Sequence, residues 1–504
     1  MSMSRNILAT YTSQIYATLV GLITLPIFVR YMGIEAYGLV GFFAMLQAWF
    51  QLLDMGLSPA MARETARHQG CANVCATDLR QLLRSLEFIF LGVALVGAAC
   101  LIFGADQIAE RWLKIDQMST KEAANAIGLM ALIVVLRWIG ELYRGVITGF
   151  ERMAWLAGVN AAMATIRFVL VIPFLIWVGS SAEEFFFFQL CVAVIETMLL
   201  IHKAYILLPA PPPGIVCWSW APLKKVVNFS LVMALAALVW VSISQIDKLL
   251  LSGLLSLADY GRFSLAVSAA GGVLMLAAPI AVVLMPRLTA LHARGDQTGL
   301  LTLYRHGTQW AGLLAWPACA VLASHAERVL WIWTGNPDLA FRAAPILYLY
   351  ALGNGILAAG AFPYYLQFAK GQLRLHLLGT FLFVLALLPS MYWAAKGYGA
   401  EGAGWAWMAV NVIYFFIWVP VAHAKHAPGV HAAWLFNDVG PIAAVAFAAA
   451  LASRWLPWPD GRLMAGLQLS VISASVLIAS TMGSSWARAL LTRYRSTHQL
   501  ARHA

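Results

Sequence analysis

Apolar runs of about twenty residues recur from end to end of the chain, at 7–29, 37–57, 85–104, 124–147, 155–178, 185–206, 228–251, 262–284, 307–325, 344–364, 375–394, 401–422, 434–453 and 463–482. A helix needs about 20 apolar residues to cross the hydrocarbon core of a bilayer. The pattern therefore predicts an all-α polytopic membrane protein with about 14 transmembrane helices. The first run is too long for the apolar part of a cleavable signal and is expected to remain as a helix. Composition agrees: 62% of the 504 residues are hydrophobic and 11% charged, against roughly 25% charged in soluble domains.

The loops are too short to be domains. One of the longer ones, 207–225, contains PAPPPG and reads as a stiff linker. It divides the chain into a first lobe of six spans (1–206) and a second of six (226–425), with 426–504 adding two helices and a basic tail. The lobes look like a duplication. Gly33-Ile-Glu-Ala-Tyr37-Gly38 follows the first span and Ser256-Leu-Ala-Asp259-Tyr260-Gly261 the seventh, while Pro59-Ala-Met-Ala-Arg63 pairs with Pro286-Arg287-Leu-Thr. Six spans per unit keep two repeats in one orientation, so pseudo-symmetry about the membrane normal is expected.

The formal charge of +11 is a topology signal. With the N-terminus inside, twenty of the 33 Lys and Arg fall in cytoplasmic segments, ten in outer segments and three within spans. This positive-inside bias places both termini in the cytoplasm, and no nucleic-acid partner is needed to explain it. The six cysteines are scattered. Cys71, Cys75 and His68 lie close in sequence but lack a further Cys or His cluster, so they read as free thiols of a reducing compartment, and no metal site is expected.

Candidate chemistry lies inside the spans. Arg137, Glu141 and Arg144 fall at i, i+4 and i+7, within roughly 60° on one helical face. A charge near the bilayer centre costs about 2.5–3.5 kcal/mol, so such groups face a bundle interior or a wet cavity. One reading is an internal knot in which Glu141 bridges both arginines. It leaves one positive charge over, and that surplus suits an anion. Gln47, Gln51, Asp54 and Ser58 form a second expected stripe, with Asn160 and Arg167, and Gln189 and Glu196, each seven apart. Four polar-striped helices imply a water-filled cavity. Arg137, Arg144, Arg167, Gln47 and Gln51 are the candidate substrate-binding residues. Asp54, Glu141, Glu196 and Asp247 are the candidate coupling or charge-balancing carboxylates, and Asp247 has Lys248 beside it. Of the tryptophans, Trp331, Trp333, Trp455 and Trp458 flank spans as an interfacial belt would. Trp49, Trp138 and Trp240 lie within spans, where packing is the default role and stacking on sugar the alternative. Nucleotide-binding, zinc-protease and serine-hydrolase motifs are absent, no catalytic residue is assigned, and an enzyme is not expected.

LPIFVRYMGIEAYGLVGF (25–42), LLDMGLSPAMARETAR (52–67), RGVITGFERM (144–153) and QIDKLLLSGLLSLADYGRFSLA (245–266) together resemble the Wzx-type oligosaccharide flippases. These are polysaccharide-biosynthesis transporters of the multidrug/oligosaccharidyl-lipid/polysaccharide (MOP) superfamily. The resemblance implies two six-helix lobes around a cavity, MATE-like, often with two extra C-terminal helices. It also implies alternating-access movement of an undecaprenyl-pyrophosphate-linked oligosaccharide, an O-antigen or exopolysaccharide repeat unit, across the bacterial inner membrane. The implied partners are that lipid-linked substrate, the bilayer, and the polymerase and chain-length machinery of the same pathway. No bound cofactor is expected beyond H+ or Na+ as a coupling ion. Three readings compete: a multidrug or cation antiporter, a flippase for a lipid-linked peptidoglycan precursor, and a membrane-embedded glycan polymerase or transferase.

Overall fold

A computed structural model of the chain describes residues 3–70, 76–209, 230, 234, 238, 241–242 and 244–485. In chain order its principal helices are α1 (Met3–Phe50), α2 (Leu57–Gly70), α3 (Ala76–Phe103), α4 (Thr120–Gly149), α5 (Met153–Trp177), α6 (Ala182–Leu207), α7 (Leu257–Ala293), α8 (Gln297–Ser324), α9 (Pro337–Ala369), α10 (Arg374–His426), α11 (Val430–Trp455) and α12 (Arg462–Met482). Among the described residues ten helices are long and apolar enough to cross a membrane. Many large apolar side chains point outward, Phe103, Trp177, Phe341 and Leu463 among them, as a lipid-facing surface requires. The protein is an all-α, multi-pass membrane protein.

Some expected runs share one continuous helix. α1 would be about 70 Å long at 1.5 Å per residue, more than twice the hydrocarbon thickness. It holds the first two runs because its backbone leaves helical geometry at Gly33 (φ 84°). α10 does the same for 375–394 and 401–422, turning at Tyr398 and Gly399 (φ 61°). Glycine suits both breaks because a Cβ disfavours positive φ. The run 307–325 falls on α8. Residues 228–229, 231–233, 235–237, 239–240 and 243 of the run 228–251 and residues 210–225 of the proline-rich linker lie outside the described residues, as do Cys71, Cys75 and Trp240.

The chain forms two compact units, Met1–Gly261 and Arg262–Ala504. The first has a core of Met61, Leu86, Phe90, Trp138, Leu142 and Ile147, drawn from α2, α3 and α4. Trp138 stacks on Phe90 (centroids 4.4 Å apart), so its ring serves packing. The second unit centres on Tyr304, Cys319, Leu366, Trp434 and Ile442.

Within the first unit the two related motifs meet. A Cβ on Gly38 would strike the carbonyl of Leu257, and one on Gly261 the carbonyl of Ile34. Each glycine thus faces the residue four before the other, a reciprocal crossing that fits a duplicated motif. Tyr37 and Tyr260 are both buried there. Beside this crossing, the Glu35 carboxylate accepts the backbone N–H groups of Asp116 (2.6 Å), Gln117 (3.0 Å) and Met118 (3.0 Å). The same loop takes the Leu257 N–H on the Lys114 carbonyl (2.8 Å).

Gly145 and Gly149 let α2 lie against α4: a Cβ would come within 2.6 Å of the Ser58 carbonyl at Gly145, and 2.5 Å of the Ala62 carbonyl at Gly149. Nothing lies within 4 Å of a Cβ at Gly128 in the same helix. Gly145→Ala and Gly149→Ala are each expected to cost about 1–3 kcal/mol by overpacking, whereas Gly128→Ala should be neutral or stabilise by up to about 1 kcal/mol. Melting of the three purified variants in one detergent checks the contrast; equal melting temperatures would remove the close approach.

Candidate functional site

The site is built on α4, α5 and α6. Ser119 starts α4 by accepting the Glu122 N–H (3.1 Å), and Ser181 with Glu184 forms a capping box at the head of α6. Gly140 of α4 packs beside Leu200 and Thr197 of α6, and the Thr197 hydroxyl donates to the Leu136 carbonyl (3.1 Å). That close crossing brings Glu196 under Arg144. In α5 the turn Thr165–Leu170 is π-helical and carries Arg167. Such a turn inserts one residue into the helical register and often marks functional sites.

Arg144 is held on three sides. Its Nη1 donates to Asn160 Oδ1 (2.5 Å), its Nη2 to Glu196 Oε1, and its Nε lies 3.2 Å from Glu141 Oε1. Arg167 Nη2 donates to the other oxygen of Glu196 (2.5 Å). Glu196 therefore bridges two guanidinium groups from two other helices, with its own side chain only 7% exposed. Arg137 is treated differently. Its Nη2 donates to Gln189 Oε1 (3.3 Å), its guanidinium carbon lies 5.3 Å from the centre of the Phe43 ring, and among the described residues it has no carboxylate partner. Gln189 in turn donates to the Arg167 carbonyl (2.9 Å).

Arg137, Arg144, Arg167, Glu141 and Glu196 line a cavity of about 200 Å³, together with Gln47, Gln51, Trp138 and Thr197. A water occupies about 30 Å³ of liquid, so the space suits a phosphate-sized anion with some of its hydration. Three arginines and two glutamates leave a formal surplus of one positive charge on the wall. The Nε–H groups of Arg137 and Arg167 and the Nε1–H of Trp138 are buried without a hydrogen-bond partner. Unsatisfied buried donors are costly, and all three belong to residues lining the cavity. These three N–H groups have almost no accessible surface, so the donors that an anion in the cavity could meet are the other N–H groups of the lining guanidinium groups.

The structure gathers Arg137, Arg144, Arg167, Gln47, Gln51, Glu141 and Glu196 at one place. Glu141 contacts Arg144 and leaves Arg137 to Gln189, so it does not bridge the two arginines of its own helix. The expected single face through Gln47, Gln51, Asp54 and Ser58 breaks after Gln51: Gln51–Asp54 is a 3-10 turn, and Met55 (φ 46°) and Gly56 (φ 71°) are left-handed. Asp54 instead accepts the Ser58 N–H (3.1 Å) and hydroxyl (2.5 Å) at the head of α2. Asp247 is buried and ion-paired with Lys248 (3.1 Å), away from the cavity lining. Asn354 of α9 is satisfied by the Ala270 carbonyl (3.0 Å) and the Trp407 indole N–H (3.2 Å). Among the described residues no group of three or more His, Cys, Asp or Glu could hold a metal ion.

Sequence reasoning missed a second buried polar cluster, in the second unit. Arg305 donates to Asp438 through Nε (2.5 Å) and Nη2 (3.1 Å), and Gln309 adds a third donor (2.7 Å). Alongside it the Tyr304 hydroxyl meets His423 Nε2 (2.7 Å), and His423 Nδ1 meets His431 Nδ1 (2.9 Å). The available signal was Asp438, a lone acid inside an apolar run.

The pattern of the polysaccharide biosynthesis proteins matches the chain over residues 3–292, more than half its length. The chain belongs to the polysaccharide biosynthesis protein family. No curated protein matches the sequence. Among solved structures, the Lipid II flippase MurJ in an inward closed conformation is similar with a TM-score of 0.73 and 13% identity, covering 96% of this chain and 99% of that one. An inward-facing multidrug resistance MATE family transporter of the MOP superfamily has a TM-score of 0.65 and 14% identity, covering 84% and 99%. An outward-facing structure of such a transporter has a TM-score of 0.54 at 14% identity. This polysaccharide biosynthesis protein thus has the fold of these MurJ and MATE transporter structures, the MATE-like fold that the sequence resemblance implied. The stretch 3–292 contains every arginine and glutamate of the cavity.

Gln189 ties two of those arginines together without adding charge. Gln189→Leu leaves the Arg137 Nη2 and the Arg167 carbonyl without their partner and is expected to cost about 1–3 kcal/mol. Thermal melting checks this, and an unchanged melting temperature would show that water replaces the amide.

Proposed function

We propose that this family member is a flippase whose cargo is a polyprenyl-diphosphate-linked oligosaccharide, carried from the cytoplasmic to the outer leaflet of a bacterial inner membrane. The observation that carries the reading is the donor-rich cavity: three guanidinium groups against two carboxylates, with buried N–H groups lacking acceptors. A diphosphate is an acceptor-only dianion that guanidinium forks grip in two places. Its glycan would be too polar to cross lipid unaided, since each buried polar group costs several kcal/mol, and its tail would stay in the bilayer. Alternating access is the mode of movement proposed, as in other transporters built from repeats. Cytoplasmic termini, H+ or Na+ as the coupling ion, and association with a polymerase and chain-length machinery belong to the same proposal, as do O-antigen and exopolysaccharide units as glycans.

One observation favours a second reading. Similarity to the MurJ structure over 96% of the chain suits a lipid-linked peptidoglycan precursor, which shares the diphosphate. A cationic drug fits less well, because it would meet a surplus positive charge. The test is translocation of defined polyprenyl-diphosphate glycans in sealed vesicles holding the purified protein, with a peptidoglycan precursor as the competing substrate. Arg137→Ala removes the arginine that has no carboxylate partner. It is expected to weaken diphosphate binding about tenfold to a hundredfold and to stop translocation while leaving membrane insertion intact. Wild-type translocation by Arg137→Ala would overturn the site.

A further inference from the structure

Glu196 is placed as a ligand would be. One of its oxygens takes Arg144 Nη2 and the other takes Arg167 Nη2 (2.5 Å), which is how a phosphoryl group would sit between two guanidinium groups. Arg144 is already contacted at each nitrogen, by Asn160 at Nη1, Glu196 at Nη2 and Glu141 beside Nε, with the second N–H of each terminal nitrogen remaining. An anion entering the cavity can take a remaining N–H of Arg144 on its own, but it can span Arg144 and Arg167 as the Glu196 carboxylate does only when that carboxylate gives way. Glu141 is half exposed and shares a helix with Arg144, whereas Glu196 is buried and comes from another helix. Glu196 occupies the place that joins two arginines.

We propose that Glu196 is an internal stand-in for the cargo's diphosphate. It holds Arg144 and Arg167 together in the unloaded protein, yields them when the diphosphate enters, and expels the diphosphate when it returns. The inference rests on the anion-site reading above and adds a specific competitor to it. A site whose competent form is populated only in part binds more weakly by that fraction. Glu196 therefore lowers affinity and, by the same competition, speeds release.

Glu196→Gln keeps the size and one acceptor oxygen but removes the charge. Binding of farnesyl diphosphate to the purified full-length protein is measured beside translocation in vesicles. The expected result is binding about tenfold tighter or more, together with slower translocation. A purely structural Glu196 would weaken both. Equal or weaker binding by a Glu196→Gln protein that melts like wild type overturns the stand-in role, while the anion reading survives if Arg137→Ala still weakens binding in the wild-type background. Farnesyl diphosphate binding that is insensitive to Arg137→Ala in both backgrounds overturns the anion reading and this inference with it. Should Glu196→Gln fail to fold, Glu196→Asp retracts the carboxylate by one methylene and is expected to bind more tightly than wild type; unchanged affinity in that variant overturns the proposal.

Discussion

Three guanidinium groups set into apolar helices govern the organisation of the first unit. Each would cost about 2.5–3.5 kcal/mol at the bilayer centre if left alone, and like charges in a poorly polarisable medium repel strongly. Glu196 relieves two of them at once by reaching from α6 to Arg144 on α4 and Arg167 on α5. Helix packing and charge neutralisation are therefore one interaction, because separating any of the three helices would strand a buried charge. The neutralisation is incomplete. Arg137 has a carbonyl oxygen and an aromatic face for company, neither of which carries a full negative charge, and water or an anion must supply the remainder.

That incompleteness needs a frame that cannot collapse around it. Gly145 and Gly149 let α2 approach the backbone of α4 on one side, and Gly140 admits α6 on another. Helix pairs in membranes gain little from apolar burial, so close approach at small residues supplies the packing. The Trp138–Phe90 stack and Leu142 complete the core behind the arginines. The π-helical turn at Thr165–Leu170 adds one residue to the helical register of α5 where Arg167 sits.

Much of this was legible in the residues because the relevant signals are costs. A charge in an apolar run has few places to go, so Arg137, Arg144, Arg167 and Glu196 declared a shared interior before any geometry was known. The seven-residue spacing of Gln189 and Glu196 survived because α6 is an unbroken helix. The spacing did not carry as far as Asp54, because the left-handed Met55 and Gly56 break the helix that it assumed. The choice of Glu196 over Glu141 as the bridging group was not legible either. It depends on which helices cross at Gly140, a tertiary fact that periodicity within one helix does not carry. Asp438 went unread for a related reason: its partners Arg305 and Gln309 lie about 130 residues away.

The two buried ionic clusters differ in the property that separates structure from function. In the second unit one acid meets one arginine in a two-point contact, Gln309 fills a remaining acceptor site, and Ser485 in turn accepts from Gln309 (2.7 Å). Donors and acceptors there come out matched, and a matched network in low dielectric rigidifies what it joins. In the first unit the count is odd and the surplus is all donor, which a protein could have removed by turning Arg137 into leucine. Retaining an unneutralised guanidinium beside unpartnered N–H groups is a standing cost to stability, and burying paired charge is at best a weak route to stability in any case. Under the flippase reading proposed above, a dianion would supply acceptors on two faces at once and convert that cost into binding energy.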